Sequence, residues 1–251
     1  MFAQWQQSGD IYGGTINVLN NNGTNIFAGT SGGGIFLSTD DGSNWNAINN
    51  GLTDLGIMCI SISGPNIFAG TEGSGVFLST DNGLSWNAAN NGLTSLFTKC
   101  ITVSDSNIFV GTHDGLFLST DNGLSWIAVN NGLTYLYVTS LITEGNNLFA
   151  GTGAGVFLST DNGLSWSSVN NGLNSLFVNC LAINGTHLFA GTSGGVFLST
   201  DNGSNWTFIN NGLTNLVVQS FAVEGNNIFA ATYGGGVFLS TNNGLKLASR
   251  E

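Results

Sequence analysis

The sequence predicts an all-β chain folded as a six-bladed β-propeller with four antiparallel strands per blade. Three observations carry that prediction. A phrase reading Gly-Val-Phe-Leu-Ser-Thr-Asp, or a close variant, begins at Gly34, Gly75, Gly115, Gly155, Gly195 and Gly236, at intervals of 41, 40, 40, 40 and 41 residues. All six tryptophans, Trp5, Trp45, Trp86, Trp126, Trp166 and Trp206, keep the same spacing, which lies in the range of about 40–45 residues for one four-stranded blade. Glycine accounts for 38 of 251 residues, and no run shows the 3.6-residue period of an amphipathic helix.

The fourth unit shows how the strands follow. Residues 137–143 form strand A and end at the turn Glu144-Gly145-Asn146-Asn147. Residues 148–152 form strand B. A two-residue turn, Gly153-Ala154, leads into strand C over 155–160, and Asp161-Asn162-Gly163 turns the chain towards Trp166 and strand D, which closes at Asn170-Asn171-Gly172. Turn residues punctuate short β-rich runs throughout. Inside and outside alternate weakly because stacked blades bury both faces of their strands. The blades fall at about 13–50, 54–91, 95–131, 135–171, 175–211 and 215–245 of a single domain. Trp5 stands 40 residues before Trp45, and no tryptophan occurs near position 246. Residues 1–10 are therefore expected to supply the outer strand of the last blade, which pairs the ends of the chain and removes open edges. The tail from Lys246 onward departs from the repeat.

Composition excludes several functions. Three Lys plus Arg against 14 Asp plus Glu give a net charge of −11, so the cations for phosphate contacts are missing and no nucleic-acid partner is expected. No apolar run reaches a membrane span. Met1-Phe2-Ala3-Gln4-Trp5 has neither the basic nor the apolar region of a signal peptide. The three cysteines, Cys59, Cys100 and Cys180, form no CxxC pair, so neither a disulfide framework nor a zinc site is indicated. No cofactor is implied, and a monomer is expected.

The turn between strands C and D reads Ser-Thr-Asp-Asn-Gly-Leu-Ser-Trp in units two to four, with close variants at Ser38–Trp45 and Ser199–Trp206. It resembles the Asp-box, or BNR, repeat Ser-x-Asp-x-Gly-x-x-Trp of sialidases, sortilin-like receptors and other bacterial propellers. Five complete copies in register cover nearly the whole chain; unit six departs, with Asn242 for the aspartate and no tryptophan after Gly244. The box is read as structural. Asp40, Asp81, Asp121, Asp161 and Asp201 accept hydrogen bonds from turn amides, glycine supplies a positive φ, and Trp45, Trp86, Trp126, Trp166 and Trp206 cover the turns. A calcium site is the competing reading, but one carboxylate per turn falls short of six to eight oxygen ligands. The resemblance also implies that this turn lies on the face away from any ligand.

The resemblance raises a sialidase, whose substrate carboxylate is held by three arginines. This chain has one, Arg250, so no such activity is expected. A different glycosidase would need two carboxylates across a cleft; Glu72 and Asp114 on neighbouring blades are the nearest candidates and read more simply as solvated turn residues. Nine residues before each strand-B phenylalanine stand Val18, Cys59, Cys100, Ser140, Cys180 and Ser220, all small, as expected where inner strands crowd the axis. His113 and His187 fall in turns at opposite ends of their strands, so a cysteine–histidine pair is not expected either.

Comparison of the units shows where the chain varies. The B–C turns open with Ser31, Glu72, His113, Gly153, Ser193 and Tyr233. The D–A loops carry Asp54, Ser95, Tyr135, Ser175 and Asn215, then two residues later Gly56, Phe97, Tyr137, Phe177 and Val217. Both sets belong to the face opposite the boxes. Loops on a rigid scaffold commonly carry function, and Phe97, Tyr135, Tyr137, Phe177 and Tyr233, with Glu72, His113 and Asp114, are the candidate ligand-binding residues. Phe97, Tyr137 and Phe177 have a blander reading as fillers between blades. Two functional readings follow: a non-catalytic module that binds a glycan or a protein, and a scaffold propeller, recently amplified or engineered, without a small ligand. The asparagine-rich, lysine-poor composition looks similar to repeat propellers of exported bacterial proteins, which favours an extracellular or periplasmic setting.

Overall fold

The computed structural model describes residues 11–242 and the backbone of 247–248. Among these the regular elements are all strands, arranged as six four-stranded sheets whose spatial order follows the chain. The protein is a six-bladed β-propeller. In the fourth blade the strands are Val138–Glu144, Asn147–Thr152, Gly155–Ser159 and Ser167–Ser168. Each neighbouring pair is antiparallel, with a bulge between Val138 and Ser140. Strand D is only two residues long in every blade and carries exposed residues where its side chains are described. It is shorter than the sequence suggested because the chain leaves the sheet at the Asn-Asn-Gly segment.

The chain forms two compact units, residues 1–110 with 119–127 and residues 111–118 with 128–251. In the first, the inner strands Ile16–Asn21, Ile57–Ser63 and Thr98–Ser104 lie side by side in succession. Phe27, Ile35, Ile57, Ile67, Phe77 and Trp86 form one continuous apolar layer between its first two sheets. In the second, Phe149, Val156, Val178, Leu188, Phe197 and Trp206 form one such layer, and Phe189, Val196, Val218 and Ile228 form the next. Strands B and C are thus covered on both faces, which explains their lack of alternation. Burial of this kind is the main source of stability in the fold.

The end of the chain carries a strand that the repeat does not announce. The outer strand seen against Gly236–Ser240 is Leu247–Ala248, through the pairs Leu239↔Ala248 and Ser240↔Leu247. The tail therefore occupies a strand-D position despite lacking the tryptophan that marks one. Residues 1–10, to which the sequence reading assigned that strand, lie outside the described residues, as does Trp5.

Candidate functional site

Each sheet has two ends. The A–B and C–D turns lie at one, the B–C turns and D–A loops at the other, as antiparallel order dictates.

At the C–D end, five turns repeat one hydrogen-bond pattern. In the second blade the Ser79 hydroxyl donates to Asp81 Oδ1 at 2.7 Å, and the Gly83 amide donates to Ser79 Oγ at 2.8 Å. The Ser85 amide and hydroxyl donate to Oδ1 and Oδ2 of Asp81 at 2.9 and 2.5 Å. The third, fourth and fifth blades repeat these bonds around Asp121, Asp161 and Asp201. Asn44 and Asn205 take the place of the second serine at Asp40 and Asp201. Donors converging on a carboxylate favour its charged form. The serine hydroxyl foremost, then the remaining turn donors, hold Asp81 and Asp121 down from 3.8 to about 2. Asp40, Asp161 and Asp201 are lowered by the same kind of contact, led by the side chains of Asn44, Ser165 and Asn205. Both oxygens of each carboxylate are therefore engaged within the turn. Positive φ falls on two successive residues, for example Asn82 and Gly83 at 58° and 88°, a conformation that asparagine tolerates better than most side chains.

The tryptophans do more than cover these turns. The indole N–H of Trp86 donates to the carbonyl of Ile48, that of Trp126 to Ala89, that of Trp166 to Val129 and that of Trp206 to Val169, at 2.7–2.9 Å. Each acceptor belongs to the preceding blade. Trp45 donates to the carbonyl of Gly42 in its own turn at 3.1 Å. The Asn-Asn-Gly segment, which the sequence reading treated only as a strand end, completes the tie. Its first asparagine clamps its own blade: Asn90 accepts from the Val76 amide at 2.7 Å and donates to the Ser74 carbonyl at 2.9 Å. Its second offers its carbonyl to the next tryptophan's backbone amide, as Asn131 does to Trp166 at 2.9 Å. The glycine is required by crowding, since a Cβ on Gly132, at φ 93°, would overlap the Trp166 carbonyl oxygen. The signal was available, because this tripeptide keeps the register of the tryptophans.

The inner strands carry the small residues as expected. Cys59 stands opposite Gly70 and Cys180 opposite Gly191, and a Cβ on either glycine would come within 2.5 Å of the cysteine sulfur. Burial pushes both thiols up to about 12, which leaves them protonated and poor nucleophiles. At the start of strand A, Asn17, Thr139 and Asn179 donate to the carbonyls of Ile57, Val178 and Val218 on the next inner strand. These side chains join blades.

The B–C and D–A loops share one end of the strands and meet there. The amide of the first B–C residue donates to a D–A carbonyl in the second, fifth and sixth blades: Glu72 to Gly56 at 2.9 Å, Ser193 to Phe177 at 3.2 Å and Tyr233 to Val217 at 2.9 Å. The second contact is made by side chains that differ. Asp54 accepts from the amides of Gly56 and Gly73, both at 2.9 Å. Tyr135 lays its ring on Gly153, where a Cβ would stand 2.5 Å from the ring. Asn215 donates to the Tyr233 carbonyl at 2.6 Å.

Within the second unit the ring of His113 meets that of Tyr137 edge to face at 4.4 Å, and Tyr137 meets Phe177 at 6.4 Å. Tyr137 is half-buried by this contact, while Phe177 remains 41% exposed, Tyr135 44% and Tyr233 73%. The filler reading thus fits Tyr137 better than Phe177. In the first unit Phe97 is half-buried, and the exposed carboxylate of Glu72 stands beside that of Asp54, both close to Gly56. Asp114 is exposed next to His113. The five tryptophans and five aspartates of the turns lie at the other end of the strands. Among the described residues no group of three or more His, Cys, Asp or Glu is placed to hold a metal ion, and no helix is long and apolar enough to cross a membrane.

No protein-family model matches the chain, and no curated protein matches it. Solved structures do. An ancestral GH74 enzyme superposes with a TM-score of 0.78 at 20% identity, covering 90% of this chain and 36% of that one. The extracellular domain of a one component system from B. thetaiotaomicron superposes at 0.74 and 18%, covering 90% and 32%. YCF48 bound to D1 peptide superposes at 0.70 and 16%, covering 95% and 82%. The chain spans about a third of the length of the first two. At these identities the likeness is one of fold.

Proposed function

We propose that this chain is a non-catalytic recognition module that takes a glycan or protein ligand on the face formed by its B–C and D–A loops. One observation carries the reading. A backbone bond joins the B–C and D–A loops in the first, second, fifth and sixth blades, while the side chains of this face differ and leave Tyr135, Phe177 and Tyr233 exposed. Rigid aromatic side chains of this kind supply contact area at low entropic cost. The reading is supported by the YCF48 structure, which holds a peptide on a propeller of comparable size. Membership of the Asp-box group, a monomeric state and an extracellular or periplasmic setting belong to the same proposal. The B. thetaiotaomicron extracellular domain is in keeping with that setting.

The non-catalytic part of this proposal is supported by the setting of the acids on the loop face. Its carboxylates, Asp54, Glu72 and Asp114, sit in exposed or half-exposed turns open to water. The scaffold reading draws on the near-identity of the units. Screening the intact protein on glycan and peptide arrays separates the two. Saturable binding that a Tyr135→Ala, Tyr233→Ala double variant loses is the expected result, whereas no binding on either array leaves the scaffold.

A further inference from the structure

We infer that His113, Tyr137 and Phe177, with Tyr135 beside them, form a platform for a neutral oligosaccharide; the inference rests on the recognition reading above and names its ligand class. Three features of the second unit lead there. The first is the geometry of the rings. Their planes cross at 75° and 62°, so each contact sets the edge of one ring towards the face of its neighbour, and Phe177, at the end of the row and 41% exposed, keeps ring surface open to solvent. The electron-rich face of an aromatic ring attracts the polarised C–H groups that line one side of a pyranose. The rings come from successive blades, so the platform extends along a chain of sugars instead of enclosing a single one.

The second feature is what surrounds the rings. The exposed Asp114 carboxylate, the Ser193 hydroxyl and the Tyr135 hydroxyl accept hydrogen bonds from O–H donors, and the bonds to the carboxylate are charge-assisted. Lys99 is the single Lys or Arg among the described residues. With a chain charge of −11, sialylated, sulfated or phosphorylated ligands meet repulsion here.

The third feature argues against a peptide bound as an added strand, which needs unpaired backbone amides. Four amides around the platform already have acceptors within the loop face. Asp114 donates to Thr112 Oγ1 at 3.1 Å, Ala154 to Thr152 Oγ1 at 3.0 Å, Gly194 to Thr192 Oγ1 at 3.0 Å and Ser193 to the Phe177 carbonyl at 3.2 Å. What the loops offer a ligand is therefore ring faces and hydroxyl acceptors.

The test uses the whole chain on an array of neutral and anionic oligosaccharides and on a peptide array, followed by calorimetric titration with cellohexaose, mannohexaose and chitohexaose. Binding confined to neutral oligosaccharides is expected. Phe177→Ala should weaken it about tenfold at an unchanged melting temperature, Tyr135→Ala should also weaken it, and Tyr135→Phe, which keeps the ring, should retain most of it. If peptides bind, neutral oligosaccharides do not, and Phe177→Ala abolishes the peptide signal, the recognition face stands and the carbohydrate assignment falls. If neither class binds, both fall. Neutral binding that survives Phe177→Ala and Tyr135→Ala places the sugar elsewhere and overturns the platform.

Discussion

The two ends of each blade are built on different principles. At the C–D turn, side chains make the structural bonds: serine and aspartate close the turn, and tryptophan and asparagine carry the tie to the neighbouring blade. At the B–C and D–A end, a strand-B threonine and the first asparagine of the Asn-Asn-Gly segment hold the turn from its flanks, and backbone amides and carbonyls join the loop residues themselves. The first arrangement fixes the residue types, and the second leaves them open. That difference explains why five turns read almost identically while the loop face holds Glu72, His113, Gly153 and Tyr233 at equivalent places. A recognition surface is economical to build where the backbone already holds the loops.

Substitutions that test this contrast should differ sharply in cost. Trp126→Ala removes a side chain that is 3% exposed together with its bond to Ala89, and should destabilise by about 3–5 kcal/mol. An unchanged midpoint of denaturation would show that the tryptophan does not tie the blades. Gly132→Ala comes next, because it combines a positive φ with overlap onto the Trp166 carbonyl. Gly145→Ala has the positive φ but open space around it and should cost about 1–2 kcal/mol. Equal losses at the two glycines would remove the argument for close approach between blades.

Acid should loosen the C–D end first. Asp81 and Asp121 are held down from 3.8 to about 2 in the folded protein. A depressed folded pKa contributes stability that is present above the unfolded value and lost as pH falls through the folded one. Melting temperature should therefore drop between about pH 4 and pH 2, and less so in a Ser85→Ala, Ser125→Ala variant. An identical drop in that variant would assign the acid sensitivity to other groups. Thr98 offers a smaller effect. It stands where other blades carry valine or isoleucine, and its buried hydroxyl is the one such side-chain atom without a partner among the described residues. Thr98→Val should stabilise by about 1 kcal/mol, measured by denaturant titration.

Much of this was legible in the sequence, for a physical reason. Where a side chain makes the bond, repetition of the structure forces repetition of the residue, so glycines, tryptophans and aspartates at 40- and 41-residue intervals reported the blades and the turns directly. Placement of the B–C and D–A loops at one end followed from antiparallel order alone. The role of Asn90 and its equivalents was repeated as plainly, but asparagine before glycine also marks an ordinary turn, and that meaning masked the clamp. Strand D was over-read because Trp-to-Asn segments look β-rich while pairing through only two residues. Leu247–Ala248 carried no signal, since a strand held by backbone bonds needs no particular residue. The mutual contact of His113, Tyr137 and Phe177 lay beyond a single sequence, because ring geometry depends on how successive blades are set.

The central claim, that the loop face is free for recognition because it does not hold the fold, is tested most directly by one pair of readings on the Tyr135→Ala, Tyr233→Ala variant. Its stability should stay within about 0.5 kcal/mol of the parent, while array binding is lost. A fall in stability comparable to that of Trp126→Ala, or binding that persists at full strength, would contradict it.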